Sequence, residues 1–106
     1  MKAMEVDNTG GAEVLVLRDV PDPIPSTGEV LIRVDAAGVK FSDSMWRRGG
    51  YDIETPLPFI PGAEVAGTVV AVGPDVAGFS VGMPVVSAPP SGGHAQFVVA
   101  PVATTT

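Results

Sequence analysis

Glycine and proline interrupt this chain at short intervals along its whole length, 13 glycines and 11 prolines among 106 residues. A proline fixes φ and removes a backbone donor, and a glycine weakens any regular element it interrupts. Long helices are therefore disfavoured, and tight turns between short extended segments are favoured. Hydrophobic residues make up 45% of the chain and charged ones 17%, so a packed core is within reach and disorder is not expected. The length suits one domain. The expected fold class is mainly β, a sandwich or partly open barrel with one short helix.

The segments between the breaks support this. Lys2 to Asp7 alternates polar and apolar residues as a half-buried strand does, and Asn8-Thr9-Gly10-Gly11 should turn. Glu13 to Val20 reads as a second strand, and Pro21 to Gly28 as an extended surface crossing. Glu29 to Ala36 sets Val30, Ile32 and Val34 against Leu31, Arg33 and Asp35, a third strand with one mostly polar face. Lys40 to Arg48 is the single predicted helix, with Ser42 as its cap and Gly49-Gly50 as its end. Glu64 to Val72, Val81 to Val86 and Gly93 to Val99 complete the predicted strands.

Charge and cysteine content exclude several functions. A net charge of −6 argues against a general nucleic-acid or anionic-membrane surface. Zero cysteines exclude a disulfide framework, an iron–sulfur cluster, thiolate zinc sites and a cysteine nucleophile. The N-terminal MKAMEVDNTGG turns acidic and glycine-rich before an apolar signal region could form. The least interrupted apolar run, Val65 to Val72, is far short of the ~20 residues a membrane helix needs. A soluble, cytoplasmic domain is expected.

Few residues announce chemistry by themselves. His94 is the only histidine, so a metal-dependent hydrolase built from it and scattered carboxylates is the weakest reading, and an exposed or strand-facing ring the simplest. No GxSxG selects a serine, and no GxGxxG or GxxxxGK[ST] marks a nucleotide site. Three of the six basic residues, Lys40, Arg47 and Arg48, lie together with Phe41, Met45, Trp46 and Tyr51. This group reads either as a local positive field with a wall for a flat, partly apolar ligand, or as a short helix packed on the barrel with a solvated basic face.

The order of the motifs is more specific. GEVLIRVDAAGVKFSD (Gly28 to Asp43), then GGYDIETPLPFIPGAEVAGTVVAVGPDVAGFSVGMPVV (Gly49 to Val86), then GGHAQFVV (Gly92 to Val99), resembles the N-terminal GroES-like portion of medium-chain dehydrogenase/reductases. The resemblance covers almost the whole chain and is nearest to the zinc-independent quinone oxidoreductase branch, with its enone-reductase and vesicle-amine-transport-like relatives. Where the zinc enzymes of that family carry cysteine and histidine ligands, this chain has Lys40 in Gly38-Val39-Lys40 and Ala63 in Gly62-Ala63-Glu64. Neither can replace the imidazole–thiolate pair, so the resemblance implies no catalytic zinc.

What the resemblance implies for function is hydride transfer from NADPH to a quinone or an enone, with the protein positioning both in a dry cleft. It implies that Phe41, Ser42, Asp43, Met45, Trp46, Tyr51 and Glu64 line that cleft or the cofactor site. Lys40 is the candidate catalytic residue: its ammonium can bond an acceptor's carbonyl oxygen and stabilise developing enolate charge. Equally, it can pair with Asp43 or point to water. The family's nucleotide-binding Rossmann domain is not encoded in these residues, so residues 1–106 read as an incomplete GroES-like domain, expected to be inactive alone and to bind NADPH weakly. The alternative function is a non-catalytic β-barrel that acts by interaction or homo-oligomerisation, with Val65 to Val72 as its candidate edge if the covering of that strand is lost.

Overall fold

The computed structural model describes residues 1–49 and 56–106. Among them the order is β1 (Lys2–Val6), a 3-10 turn (Ala12–Val14), β2 (Leu15–Asp19), β3 (Glu29–Ala37), α1 (Phe41–Arg47), β4 (Val65–Val72), β5 (Pro84–Ser87), β6 (Phe97–Pro101) and a second 3-10 turn (Val102–Thr104). The architecture is mainly β with one short helix, as the punctuation demands. β1 and β2 form a two-stranded ribbon, and β5-β4-β3-β6 form a four-stranded sheet. Every pairing within them is antiparallel.

The alternation read in β3 is what builds the core. Val30 and Ile32 are fully buried and lie among Val65, Val69, Val85, Val98 and Ala100, with Val34, Phe79 and Met83 packed against them. Ile32 sits between Val69 of β4 and Val98 of β6. The β3–β4 register shifts twice: Val70 is the unpaired extra residue on β4, and Asp35 the extra one on β3. Such bulges bend a sheet and increase its twist. Gly67 lies between them, where a Cβ would collide with the Arg33 carbonyl oxygen. Backbones approach there as closely as only glycine permits.

Several boundaries differ from expectation, each for a local reason. The second strand begins at Leu15 because Val14 N–H closes a turn on the Gly11 carbonyl. β5 begins at Pro84 because Ser80 to Met83 forms a hydrogen-bonded turn around Gly82. β6 begins at Phe97 because residues 92–94 donate their N–H groups to Ile60, Gly62 and Pro61 instead. In the structure the Val65 to Val72 strand is covered: β4 lies inside the sheet, paired with β3 along its length and with β5 over Val65–Thr68.

On the β1–β2 ribbon, Arg18 bonds both Glu5 (3.0 Å) and Asp7 (2.6 Å). The hydrogen bond from Arg18 holds the Asp7 carboxyl below the usual carboxylate range, and the same contacts raise Arg18 further. Among the described residues no helix is long and apolar enough to cross a membrane.

Candidate functional site

Three segments that are distant in sequence meet at the start of α1: the Gly38-Val39-Lys40 turn after β3, Pro61 to Glu64 before β4, and Gly92 to His94 before β6. Backbone bonds draw them together, with Gly38 N–H on the Glu64 carbonyl (3.0 Å) and His94 N–H on the Pro61 carbonyl (2.8 Å). Gly62 has φ +106°, and a Cβ on it would strike the His94 backbone and ring. The close contact of these two loops thus depends on a glycine in the left-handed region.

Asp43 organises the junction. It is only 5% exposed, and a buried carboxylate needs partners to offset its desolvation. Its Oδ2 accepts the Lys40 N–H at 2.8 Å, and its Oδ1 accepts the Gly62 N–H at 3.3 Å. In return the Asp43 N–H donates to the Lys40 carbonyl at 3.0 Å. The helix is therefore capped at Lys40 by a carboxylate three residues on, and the expected cap from Ser42 is not used. Ser44, not Ser42, bonds the first turn, donating from its Oγ to the Phe41 carbonyl at 2.7 Å.

His94 is the member that the sequence reading missed. Rather than facing solvent, its ring is partly buried, with Nε2 2.8 Å from the Gly38 carbonyl oxygen and 3.9 Å from Asp43 Oδ2. A carbonyl oxygen only accepts, so Nε2 carries the proton in this contact. The one available signal was its place after Gly92-Gly93, since its partners are in sequence far away.

The remaining predicted residues separate into two groups. Lys40 is exposed, and its Nζ lies 3.5 Å from Glu64 Oε2, so its partner is Glu64 and not Asp43. On either side of it Val39 is 84% and Phe41 76% exposed. Trp46 turns the other way and meets buried Phe59 edge to face, centroids 6.4 Å apart. Ser42 and Met45 are half-buried. Arg47 donates from Nε to the Gly10 carbonyl (3.2 Å) and accepts from Gly10 N–H, tying the helix end to the β1–β2 turn. Tyr51 lies outside the described residues.

Beneath the turn, Leu15, Val39, Lys40, Asp43, Pro61 and His94 are among the residues lining a cavity of about 70 Å³, well below the several hundred Å³ that ligand sites usually occupy. Among the described residues no three of His, Asp and Glu gather as a metal ion would require. The arrangement is a fixed turn presenting an ammonium between two exposed apolar side chains.

Comparison with known proteins identifies the family. Residues 26–105 match the alcohol dehydrogenase GroES-like domain. The chain is 43% identical to quinone oxidoreductase of Lama guanicoe over 94% of its own length and 31% of that protein's, so it spans about a third of such relatives. A mycobacterial quinone oxidoreductase structure matches 99% of the chain, and the chain 32% of it, at 49% identity and a TM-score of 0.92. Escherichia coli quinone oxidoreductase, solved with NADPH, matches at 28% identity with a TM-score of 0.94, covering 100% of this chain and 32% of that one. The chain belongs to the alcohol dehydrogenase GroES-like domain family, with quinone oxidoreductases of the medium-chain dehydrogenase/reductase superfamily among its relatives.

Proposed function

We propose that this chain is the substrate-side domain of a zinc-free, NADPH-dependent oxidoreductase that reduces quinones or activated carbon–carbon double bonds, and that turnover needs a nucleotide-binding domain beside it. The observation that carries the reading is Lys40, held on a turn with fixed backbone and flanked by exposed Val39 and Phe41. The likeness to a quinone oxidoreductase solved with NADPH supports the cofactor. The cysteine-free composition suits a reducing compartment such as the cytoplasm.

The residues present fit the reacting end of NADPH better than its phosphates. The cavity of about 70 Å³ beneath the turn is too small to hold a nicotinamide ring. Arg47 is engaged with Gly10, and no glycine-rich phosphate loop is present in the sequence. NADPH, when bound, supplies the hydride. This chain's part is to orient the acceptor, exclude water with Val39 and Phe41, and donate a hydrogen bond from Lys40 Nζ to the acceptor's carbonyl oxygen. That bond strengthens as negative charge develops on the oxygen. Glu64 holds the ammonium in place until the acceptor arrives.

A polypeptide joining this chain to the nucleotide-binding part of the E. coli enzyme should oxidise NADPH with a quinone, and the chain alone should not. Lys40→Met should lower turnover about tenfold, less than a fully buried oxyanion donor contributes. A chimera that folds and binds NADPH yet reduces neither quinones nor enones would refute the reading, and unchanged turnover in Lys40→Met would refute the electrostatic role.

A further inference from the structure

We propose that His94 is a positioning residue for Lys40, acting through the Gly38 carbonyl. The inference rests on the reading of Lys40 given above. The turn that carries Lys40 is tied at both ends. At its start, Gly38 N–H donates to the Glu64 carbonyl (3.0 Å), and the Gly38 carbonyl accepts from His94 Nε2 (2.8 Å). At its end, Lys40 N–H donates to Asp43 Oδ2 (2.8 Å), and the Lys40 carbonyl accepts from Asp43 N–H (3.0 Å). Every backbone polar group of Gly38 and Lys40 therefore has a partner, while the Val39 side chain between them is exposed.

Of these ties, only that of His94 reaches the turn from a side chain outside both the helix and the β4 loop. The ring belongs to the Gly92–His94 segment, whose backbone is itself fixed on Ile60, Pro61 and Gly62. It thus transmits the position of the β6 side of the sheet to the turn. A side chain with a donor where Nε2 lies can do this; an apolar ring of similar size cannot. A glutamine amide nitrogen reaches about as far as Nε2 and also donates. Preorganisation of this kind matters because displacement of a reacting group by about 1 Å can cost up to roughly 100-fold in rate.

The test uses the chain itself, whose single imidazole gives unambiguous nitrogen resonances. The ¹⁵N spectrum should show a protonated Nε2; a neutral ring protonated only on Nδ1 would overturn the proposal. Amide hydrogen exchange should then be compared in His94→Phe and His94→Gln. The Phe variant should speed exchange at Gly38 and Lys40 about tenfold with Ile32 and Val69 unchanged, and Gln should restore the native rates. Unchanged exchange at Lys40 in the Phe variant would overturn it. If the Phe variant unfolds throughout, the ring spectrum and a native-like Gln variant still decide. In the chimera, Phe should lower kcat about tenfold with KM for NADPH unchanged, and Gln should recover it. Equal loss in Phe and Gln counts against positioning. A chimera with no turnover in its native form counts against the functional reading, while the exchange result still stands.

Discussion

Asp43→Ala tests whether one carboxylate holds the junction together. The native side chain accepts two backbone N–H groups, from Lys40 at 2.8 Å and from buried Gly62 at 3.3 Å. Alanine leaves both without this acceptor. Losing the helix cap costs about 0.5–2 kcal/mol, and leaving a buried N–H unsatisfied costs about 1–3 kcal/mol. The longer Gly62 contact belongs at the lower end, so the sum is about 2–4 kcal/mol. Asparagine keeps one acceptor oxygen and presents an amide donor in place of the other, so it should lose about half as much. Urea unfolding followed by circular dichroism measures this directly. With a slope of about 1.5 kcal/mol per molar for a chain this size, alanine should lower the midpoint by about 2 M and asparagine by about 1 M. A midpoint for asparagine equal to wild type, or an alanine loss below about 0.5 kcal/mol, would show that the two N–H groups find other partners and that the carboxylate is not the organiser.

Ile32→Ala, at a fully buried position between Val69 and Val98, should cost about 2–5 kcal/mol in the same assay. Leu17→Ala, on a side chain 63% exposed, should change stability by less than about 0.5 kcal/mol. Gly67→Ala places a Cβ against the Arg33 carbonyl and should cost about 1–3 kcal/mol through overpacking, read as a lower melting temperature. Asp7 is depressed in the folded state by Arg18, so its contribution is present above the ordinary carboxylate pKa of about 3.9 and is lost as pH falls through its lower folded value. Asp7→Asn should therefore flatten the fall in melting temperature below pH 4, and an unaltered acid limb would refute that pairing.

The fold was legible wherever a strand had one face in the core. Val30 and Ile32 could be read as inward from spacing alone, and the turn at Gly49 from composition. What failed was local competition for hydrogen bonds. Val81 and Gly82 look like the start of a strand, but they lie inside the turn that Met83 N–H closes on the Ser80 carbonyl, and Gly82 N–H bonds the Val69 carbonyl. The segment before Phe97 looks extended, but the N–H groups of residues 92–94 are committed to the loop at residues 60–62 and that of Gln96 to the Lys2 carbonyl. Within the site, Lys40, Asp43 and Glu64 could be named in advance because motif order places them together. The direction of their pairing could not, because whether an ammonium meets Asp43 or Glu64 depends on which carboxylate the helix start has already taken. His94 was invisible for a simpler reason: its partner Gly38 is 56 residues away, and no spacing rule reaches that far.

The two bulges in the β3–β4 pair have opposite signs, one extra residue on each strand. They shift the ladder out of phase by a single residue through its middle and then return it, so the strand ends meet as though no residue had been inserted. Deleting Val70 or Asp35 alone would leave the end that carries Gly38 one step out of phase with Glu64. Deleting both would restore the match. The juxtaposition of Lys40 with Glu64 is therefore counted out along the whole length of the β3–β4 pair, and a compensated double deletion should preserve it where either single deletion does not.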